Sequence, residues 1–179
     1  MFRKLGQMEQ LIIRTLEPHD WPAWRAIRLR SLADSPDAFG STLAEEQARP
    51  AETWAARLSA AAASGNDRPL VAEAGGVPVG LLWAKRDAAD AAVVNLFQVW
   101  VAPESRGCGV GTSLLREAIR WARSTDARAV QLGVAQGDTP AMRLYARAGF
   151  RPVGAPEPLR PGSVLLSQAM RLALDVGEP

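Results

Sequence analysis

The segment Arg106-Gly107-Cys108-Gly109-Val110-Gly111-Thr112 places three glycines within five residues. It lies between an apolar stretch that reads as a strand, Ala91–Val101, and a helical pattern over 110–124. In that pattern Leu114, Leu115, Ala118, Ile119 and Ala122 form one stripe. Glycine lacks the Cβ that would hold a ligand away from the backbone. Successive N–H groups of such a turn can converge on one concavity. The helix that follows adds unpaired N–H groups and the positive end of its dipole. Strand, glycine turn and helix in that order make a cradle for a pyrophosphate.

Two familiar cradles do not fit. A phosphate loop of the form G-x-x-x-x-G-K-[ST] needs a lysine at the helix start, and this turn has none. The dinucleotide fingerprint G-x-G-x-x-G/A ends on Thr112 counted from Gly107 and on Leu114 counted from Gly109, so both registers fail. A nucleotide-binding module of another fold remains as a general alternative, as does a glycine turn that only lets a helix pack on a strand.

Composition narrows the classes further. With 179 residues, 47% hydrophobic and 22% charged, the chain fits one globular domain. No apolar run approaches the roughly 18 residues of a membrane span. The net charge is +2 and no run of Lys or Arg occurs, which argues against a nucleic-acid face. Cys108 is the one cysteine and His19 the one histidine. A Ser-His-Asp triad, a zinc site and an internal disulfide are therefore not expected. Residues 1–9 read as a flexible leader without the pattern of a signal peptide, with Met8 as an alternative start. Residues 10–174 read as a single domain and 175–179 as a tail. The expected compartment is the cytoplasm. Arginine and alanine greatly outnumber lysine, the coding bias of a G+C-rich bacterial genome.

The remaining elements follow from periodicity and turn residues. Gln10–Leu16 reads as a strand. A helix over 20–34 takes Asp20 as its cap, and a second runs from Pro50 to Gly65. Leu70–Ala74 and Val77–Arg86 read as a hairpin closed at Gly75-Gly76. After the glycine turn come a strand Arg128–Val134, a helix Thr139–Ala148, and strands Gly149–Val153 and Val164–Leu172. Strands that alternate with helices after a meander imply one mixed, twisted sheet with helices on its faces, an α/β (α+β) chain.

The pattern Arg106-x-x-Gly109-x-Gly111 resembles the acyl-CoA-binding motif of the GNAT superfamily of N-acetyltransferases. Asp138-x-x-Ala141-x-x-Leu144-Tyr145-x-x-x-Gly149-Phe150 is similar to that family's second motif, which usually opens on Asn. Val99-Trp100-Val101-Ala102-Pro103 looks like the family's central strand, which ends in a splayed edge. The resemblance is strong from Asn95 to Phe150. It is weak in the hairpin before and the strands after, and over the first 65 residues it amounts to a strand and two helices. It implies a mostly antiparallel sheet of about seven strands flanked by about four helices. It also implies acetyl-CoA as co-substrate, an amine acceptor that is a small molecule or a peptide, and no metal, nucleic acid or membrane partner. A homodimer is compatible with it. The cofactor contacts it implies are Val99, Trp100, Val101, Arg106, Gly107, Cys108, Gly109, Val110, Gly111, Thr112, Asp138 and Ala141.

The same resemblance implies Tyr145, the one tyrosine, as the acid that protonates the departing sulfur. Read from the helix alone it is a packed aromatic at the edge of an apolar face. Asn95 stands where some family members carry a Glu base. An amide cannot take a proton at neutral pH, so it is expected to orient a water or to serve the strand. Asp138 is expected to cap its helix. Arg106 is either a phosphate partner or a solvated rim charge. Cys108 occupies a position where the family often has a basic side chain, and its N–H remains available. Glu45, Glu46 and Glu73 are further base candidates without a place. Phe39 and Ser41 fall on the acceptor side if the family layout holds. The missing carboxylate at Asn95 leaves open a non-catalytic acyl-CoA-binding domain on the same fold.

Overall fold

A computed structural model describes residues 10–137 and 139–175. The elements run β1 Leu11–Thr15, α1 Trp21–Asp34, α2 Leu43–Gln47, α3 Ala51–Ser64, β2 Asp67–Ala74, β3 Val77–Arg86 and β4 Val93–Val101. They continue with α4 Val110–Ser124, β5 Ala129–Ala135, α5 Pro140–Arg147, β6 Arg151–Pro152, β7 Glu157–Pro158 and β8 Leu166–Ala173. The sheet order is β1-β2-β3-β4-β5-β8-β6, with β7 also on β8. β6 pairs with Arg171 and Met170, and β7 with Ser167 and Leu166. The two thus act as halves of one interrupted edge strand, and the sheet has seven strand positions.

Every pairing is antiparallel except β4 with β5. The hairpin β2–β3 closes at Gly75-Gly76, both with positive φ, as a two-residue turn whose twist matches the strands. α4 packs on β2 and β3, and its stripe of Leu114, Leu115, Ala118 and Ala122 is buried. On the opposite face α1 and α3 bring Trp24 and Trp54 together edge to face at 4.8 Å, and Trp24 also meets Trp83 at 5.0 Å.

Three local expectations change. Asp20 stands at the start of α1, but its carboxylate does not cap the helix. It accepts from Arg14 and from the Glu17 N–H. A one-turn helix, α2, lies between the two long ones, closed by a reciprocal box in which Thr42 accepts from the Glu45 N–H and Glu45 from the Thr42 N–H. The strand read at Gly149–Val153 shrinks to Arg151–Pro152, because Gly149 still belongs to the turn out of α5 and donates to the Ala146 carbonyl.

Gly80 shows how close α4 lies to the sheet. A Cβ there would stand 2.9 Å from Leu114 Cδ1, 3.0 Å from Val110 Cγ1 and 3.2 Å from Ala72 Cβ. Gly80→Ala should therefore cost about 1–3 kcal/mol of stability by overpacking, measured by urea unfolding. An unchanged midpoint would show that α4 can give way.

Candidate active site

The parallel pairing of β4 with β5 lasts four residue pairs, from Val93↔Ala129 to Leu96↔Leu132. Beyond it β5 continues along β8, through Gly133↔Ala169 to Ala135↔Ser167. β4 meanwhile turns away with β3, through Trp100↔Leu81 and Val101↔Gly80. The divergence begins at an irregularity in β4. Gln98 has φ of +56°, a left-handed conformation for a residue with a Cβ, and the β3–β4 register shifts there. Trp24 Nε1 donates to Gln98 Oε1 at 3.2 Å and holds the irregular residue against α1.

A cavity of about 1400 Å3 fills the gap. Asn95, Val99, Ala141 and Tyr145 line it from β4 and α5, and Phe39 and Ser41 from the segment after α1. The split thus gathers the expected catalytic pair, two of the expected cofactor contacts and the expected acceptor side on one cavity. Trp100, Val101 and 106–112 do not line it. They lie along the end of β4 and the start of α4.

Tyr145 is 5% exposed, with its ring tilted against Phe150 at 5.9 Å. The hydroxyl makes no hydrogen bond to a described residue. Burial disfavours the phenolate and pushes the pKa above its ordinary value, so the group stays protonated across the neutral range. Asn95 Nδ2 donates to Asp87 Oδ2 at 2.8 Å, which fixes the amide and directs its oxygen away from that bond. Glu45 belongs to its capping box, Glu46 is buried and accepts from Arg49 and Arg57, and Glu73 pairs with Arg14. None of the three lines the cavity. The carboxylates that do are Asp67, which accepts from Trp83 Nε1 and Ser64, and Glu157 on β7.

The glycine turn divides its work. Gly107 and Gly109 have φ of +72° and +82°, and a Cβ on either would meet nothing within 4 Å. These two are glycines for conformation, with open space in front of them. Gly109 is the residue from which α4 starts. At Gly111 a Cβ would stand 3.0 Å from Leu144 Cδ2, so this third glycine lets α5 approach α4. Val110 is buried against Gly80, while Thr112 is exposed. Cys108 is half-buried, with its thiol toward the Arg106 carbonyl at 3.7 Å.

Arg106 turns toward α1. Its Nε donates to the Val101 carbonyl and its Nη2 pairs with Asp34, which also accepts from Trp100 Nε1. Two of its donors are therefore committed to the protein's own groups. α5 is capped by Thr139, whose hydroxyl accepts from the Met142 N–H at 3.1 Å. The cap expected at Asp138 is thus moved on by one residue, and Asp138 itself lies outside the described residues.

Gln98 and Arg28 also line the cavity, and sequence reasoning missed both. Gln98 sits in an apolar strand where nothing in its residue type marks a bulge. Arg28 falls between charged and apolar neighbours on a helix without a clean apolar stripe.

Comparison with known proteins identifies the family and the fold. A sequence profile of the acetyltransferase (GNAT) family matches residues 21–150. The chain belongs to that family. A mycothiol acetyltransferase of Thermobispora bispora is 33% identical over 147 residues, covering 79% of this chain and 47% of that protein. One of Pseudarthrobacter chlorophenolicus is 31% identical over 146 residues, covering 79% and 43%. The chain thus spans less than half the length of these relatives. A GNAT acetyltransferase of Streptococcus pneumoniae superposes with a TM-score of 0.78 at 25% identity, covering 92% of this chain and all of that one. YncA of Salmonella typhimurium, solved with acetyl-CoA, superposes at 0.77 with 22% identity, covering 96% and 98%. Among the described residues no helix is long and apolar enough to cross a membrane, and no group of His, Cys, Asp and Glu is set to hold a metal.

Two measurements probe the site. Gly109→Ala should lower stability by about 1–2 kcal/mol through its left-handed backbone and should also weaken CoA binding in calorimetry. Gly65→Ala carries a similar backbone cost at φ +65°, where α3 ends at the opposite end of β2–β3 from Gly80 and the glycine turn, and should leave CoA affinity unchanged. Equal CoA affinities in the two variants would remove Gly109 from the cradle. Asp34 is held down to about 2 by hydrogen bonds from Ser35 and Trp100, then from Arg106. A depressed carboxylate stabilises the fold above its unfolded pKa near 3.9, and this contribution fades as pH falls toward 2. The difference in Tm between wild type and Asp34→Asn should therefore be widest near neutrality and close between about pH 4 and pH 2. A difference constant with pH would mean that the charge contributes nothing.

Proposed function

We propose that this chain transfers the acetyl group of acetyl-CoA to the amine of an acceptor, with both substrates held at once in the β4–β5 split. The observation that carries the reading is the cavity at the split, with the protonated Tyr145 on its wall beside strand edges that are unpaired on the side facing the gap. The thioester supplies an activated acyl carbon. The freed backbone of β4 past Leu96 is a ready partner for an extended pantetheine arm. Gly107, Gly109 and the first N–H groups of α4 suit its pyrophosphate. Val99, Trp100, Val101, Arg106, Cys108, Val110, Gly111, Thr112 and Ala141 would surround the same ligand or support the backbone that does.

The acceptor nitrogen attacks the carbonyl carbon. A C–N bond forms, the C–S bond breaks, and Tyr145 gives its proton to the sulfur as it leaves. The proton shed by the nitrogen restores the phenol, so the products are an amide and a free thiol. Burial makes Tyr145 a weaker acid than a phenol in water. The thiolate it meets is formed in the same low-dielectric cavity, where burial raises thiol basicity as well. Asn95, anchored by Asp87, offers its amide oxygen to an N–H of the acceptor or to a water on the way out. It positions the amine and takes no proton. The relatives named as mycothiol acetyltransferases support acetyl transfer.

Tyr145→Phe keeps the ring against Phe150 and removes the proton donor. General-acid catalysis is worth about 10²–10⁴-fold, so kcat should fall by one to two orders of magnitude or more in a thiol-release assay across an amine panel. KM for acetyl-CoA should move by less than about threefold. An unchanged kcat would leave Tyr145 as a packing residue. CoA binding without thiol release from any amine would favour a non-catalytic acyl-CoA-binding domain.

A further inference from the structure

Arg28 sits in the middle of α1 and is 3% exposed. Its Nη1 reaches Ser31 Oγ at 3.5 Å, and the Phe39 ring lies over the guanidinium at 4.5 Å. Its Nε is enclosed and has no hydrogen-bond partner. Nη2, on the same edge of the fork, likewise makes no hydrogen bond to a described residue. The nearby buried carboxylate, Glu46, is engaged by Arg49 at 3.1 Å and Arg57 at 3.5 Å. Arg57 in turn lies over the Trp24 ring at 5.2 Å. This corner of the molecule therefore carries more cations than anions, and Arg28 is the cation without a counter-ion. Arg28 also borders the cavity, which Phe39, Ser41 and Tyr145 line as well.

A buried cation without an anion is costly unless something supplies one. Burial pulls the Arg28 pKa down to about 10, yet the group remains charged at neutral pH. The guanidinium borders the cavity with Nη2 uncommitted, and a charged planar fork with a spare N–H donor is a partner that a carboxylate takes up. We propose that Arg28 anchors a carboxylate on the acceptor, so that the substrate class is amines that also carry a carboxylate, amino acids among them. The inference rests on the acetyl-transfer reading and adds the group that selects the acceptor. α1 brings Arg28 to the cavity four residues after Trp24, the residue that holds Gln98 at the split. The anion anchor and the bend in β4 therefore share one helix face.

The test compares acetyl transfer to L-amino acids, their amides and their decarboxylated amines, using wild type, Arg28→Lys and Arg28→Met. A hydrogen-bonded charge pair is worth about 1.5–3 kcal/mol, so wild type should favour the acid over its amide by about tenfold or more in kcat/KM. In Arg28→Met that ratio should collapse toward one through a raised KM for the acid, without a comparable rise in KM for acetyl-CoA. Arg28→Lys should fall between. The ligand-free Tm of Arg28→Met should not drop, because an uncompensated charge has been removed. A lower Tm with an unchanged acid-to-amide ratio would make Arg28 a structural strut and overturn the proposal. Equal use of acids and amides by wild type would overturn it too, while leaving acetyl transfer intact. If thiol release is seen with no amine, the acetyl-transfer reading fails and binding decides the anchor. The wild-type complex with CoA should then be stabilised by N-acetyl amino acids and not by their amides, and this difference should vanish in Arg28→Met. No stabilisation by any carboxylate, or stabilisation by inorganic phosphate alone, would sink the carboxylate anchor.

Discussion

The structure depends on the failure of two adjacent strands to stay paired. β4 and β5 share four residue pairs and then separate, and the separation is fixed at both sides. β5 is held by a full-length antiparallel partner in β8. β4 is bent by Gln98, whose left-handed φ costs about 1–2 kcal/mol in a residue with a Cβ. Such strain persists only when the surroundings over-determine it. Here the surroundings are the Trp24–Gln98 hydrogen bond on one side and the β3 ladder on the other. The result is a pair of strands whose facing edges have no strand partner, on either side of a cavity of about 1400 Å3.

α1 is the element that keeps the split open. Near its start Trp24 holds Gln98, and at its end Asp34 accepts from both Trp100 and Arg106. The second half of β4 is therefore tied to one rigid helix at two places, and Arg106 carries that tie into the glycine turn. This explains why an arginine in the turn motif folds back along the surface onto α1. It braces the end of β4 through the Val101 carbonyl, so the helix start that follows is presented from a fixed strand.

Much of this was legible in the sequence because it is written in residues with narrow uses. The glycine turn, the hairpin at Gly75-Gly76 and the stripe on α4 each admit few alternatives, and each lies where the sequence puts it. What was not legible depends on tertiary contact. Gln98 bends a strand that reads as straight, because its conformation is imposed by Trp24 from a helix 74 positions earlier in the chain. Arg28 reads as a surface charge, and only the packing of α1 against β3, β4 and α3 turns it inward. Two misses were local. The Thr42-x-x-Glu45 box marks a helix start by a known rule. Thr139 caps α5 one residue after the Asp138 that the motif alignment favoured, and a hydroxyl before Pro140 serves as well as a carboxylate.

The three glycines of the turn look like one signal and answer two demands. Gly107 and Gly109 keep the backbone in a conformation that other residues resist and leave open space in front of it. Gly111 has no such need. It is small because Leu144 Cδ2 comes within 3.0 Å of where a Cβ would be. Leu144 precedes Tyr145 on α5, and the start of α5 is pinned by Thr139. Gly111 therefore sets how closely α5 lies against the start of α4, and with it where Tyr145 stands on the cavity wall. The spacing that resembles a phosphate motif also fixes the distance between the helix start that would hold the pyrophosphate and the phenol that would protonate the sulfur. A glycine turn serving only to bind phosphate would have no use for its third member. In this chain the contact from Gly111 to Leu144, next to Tyr145, joins the two sequence motifs physically.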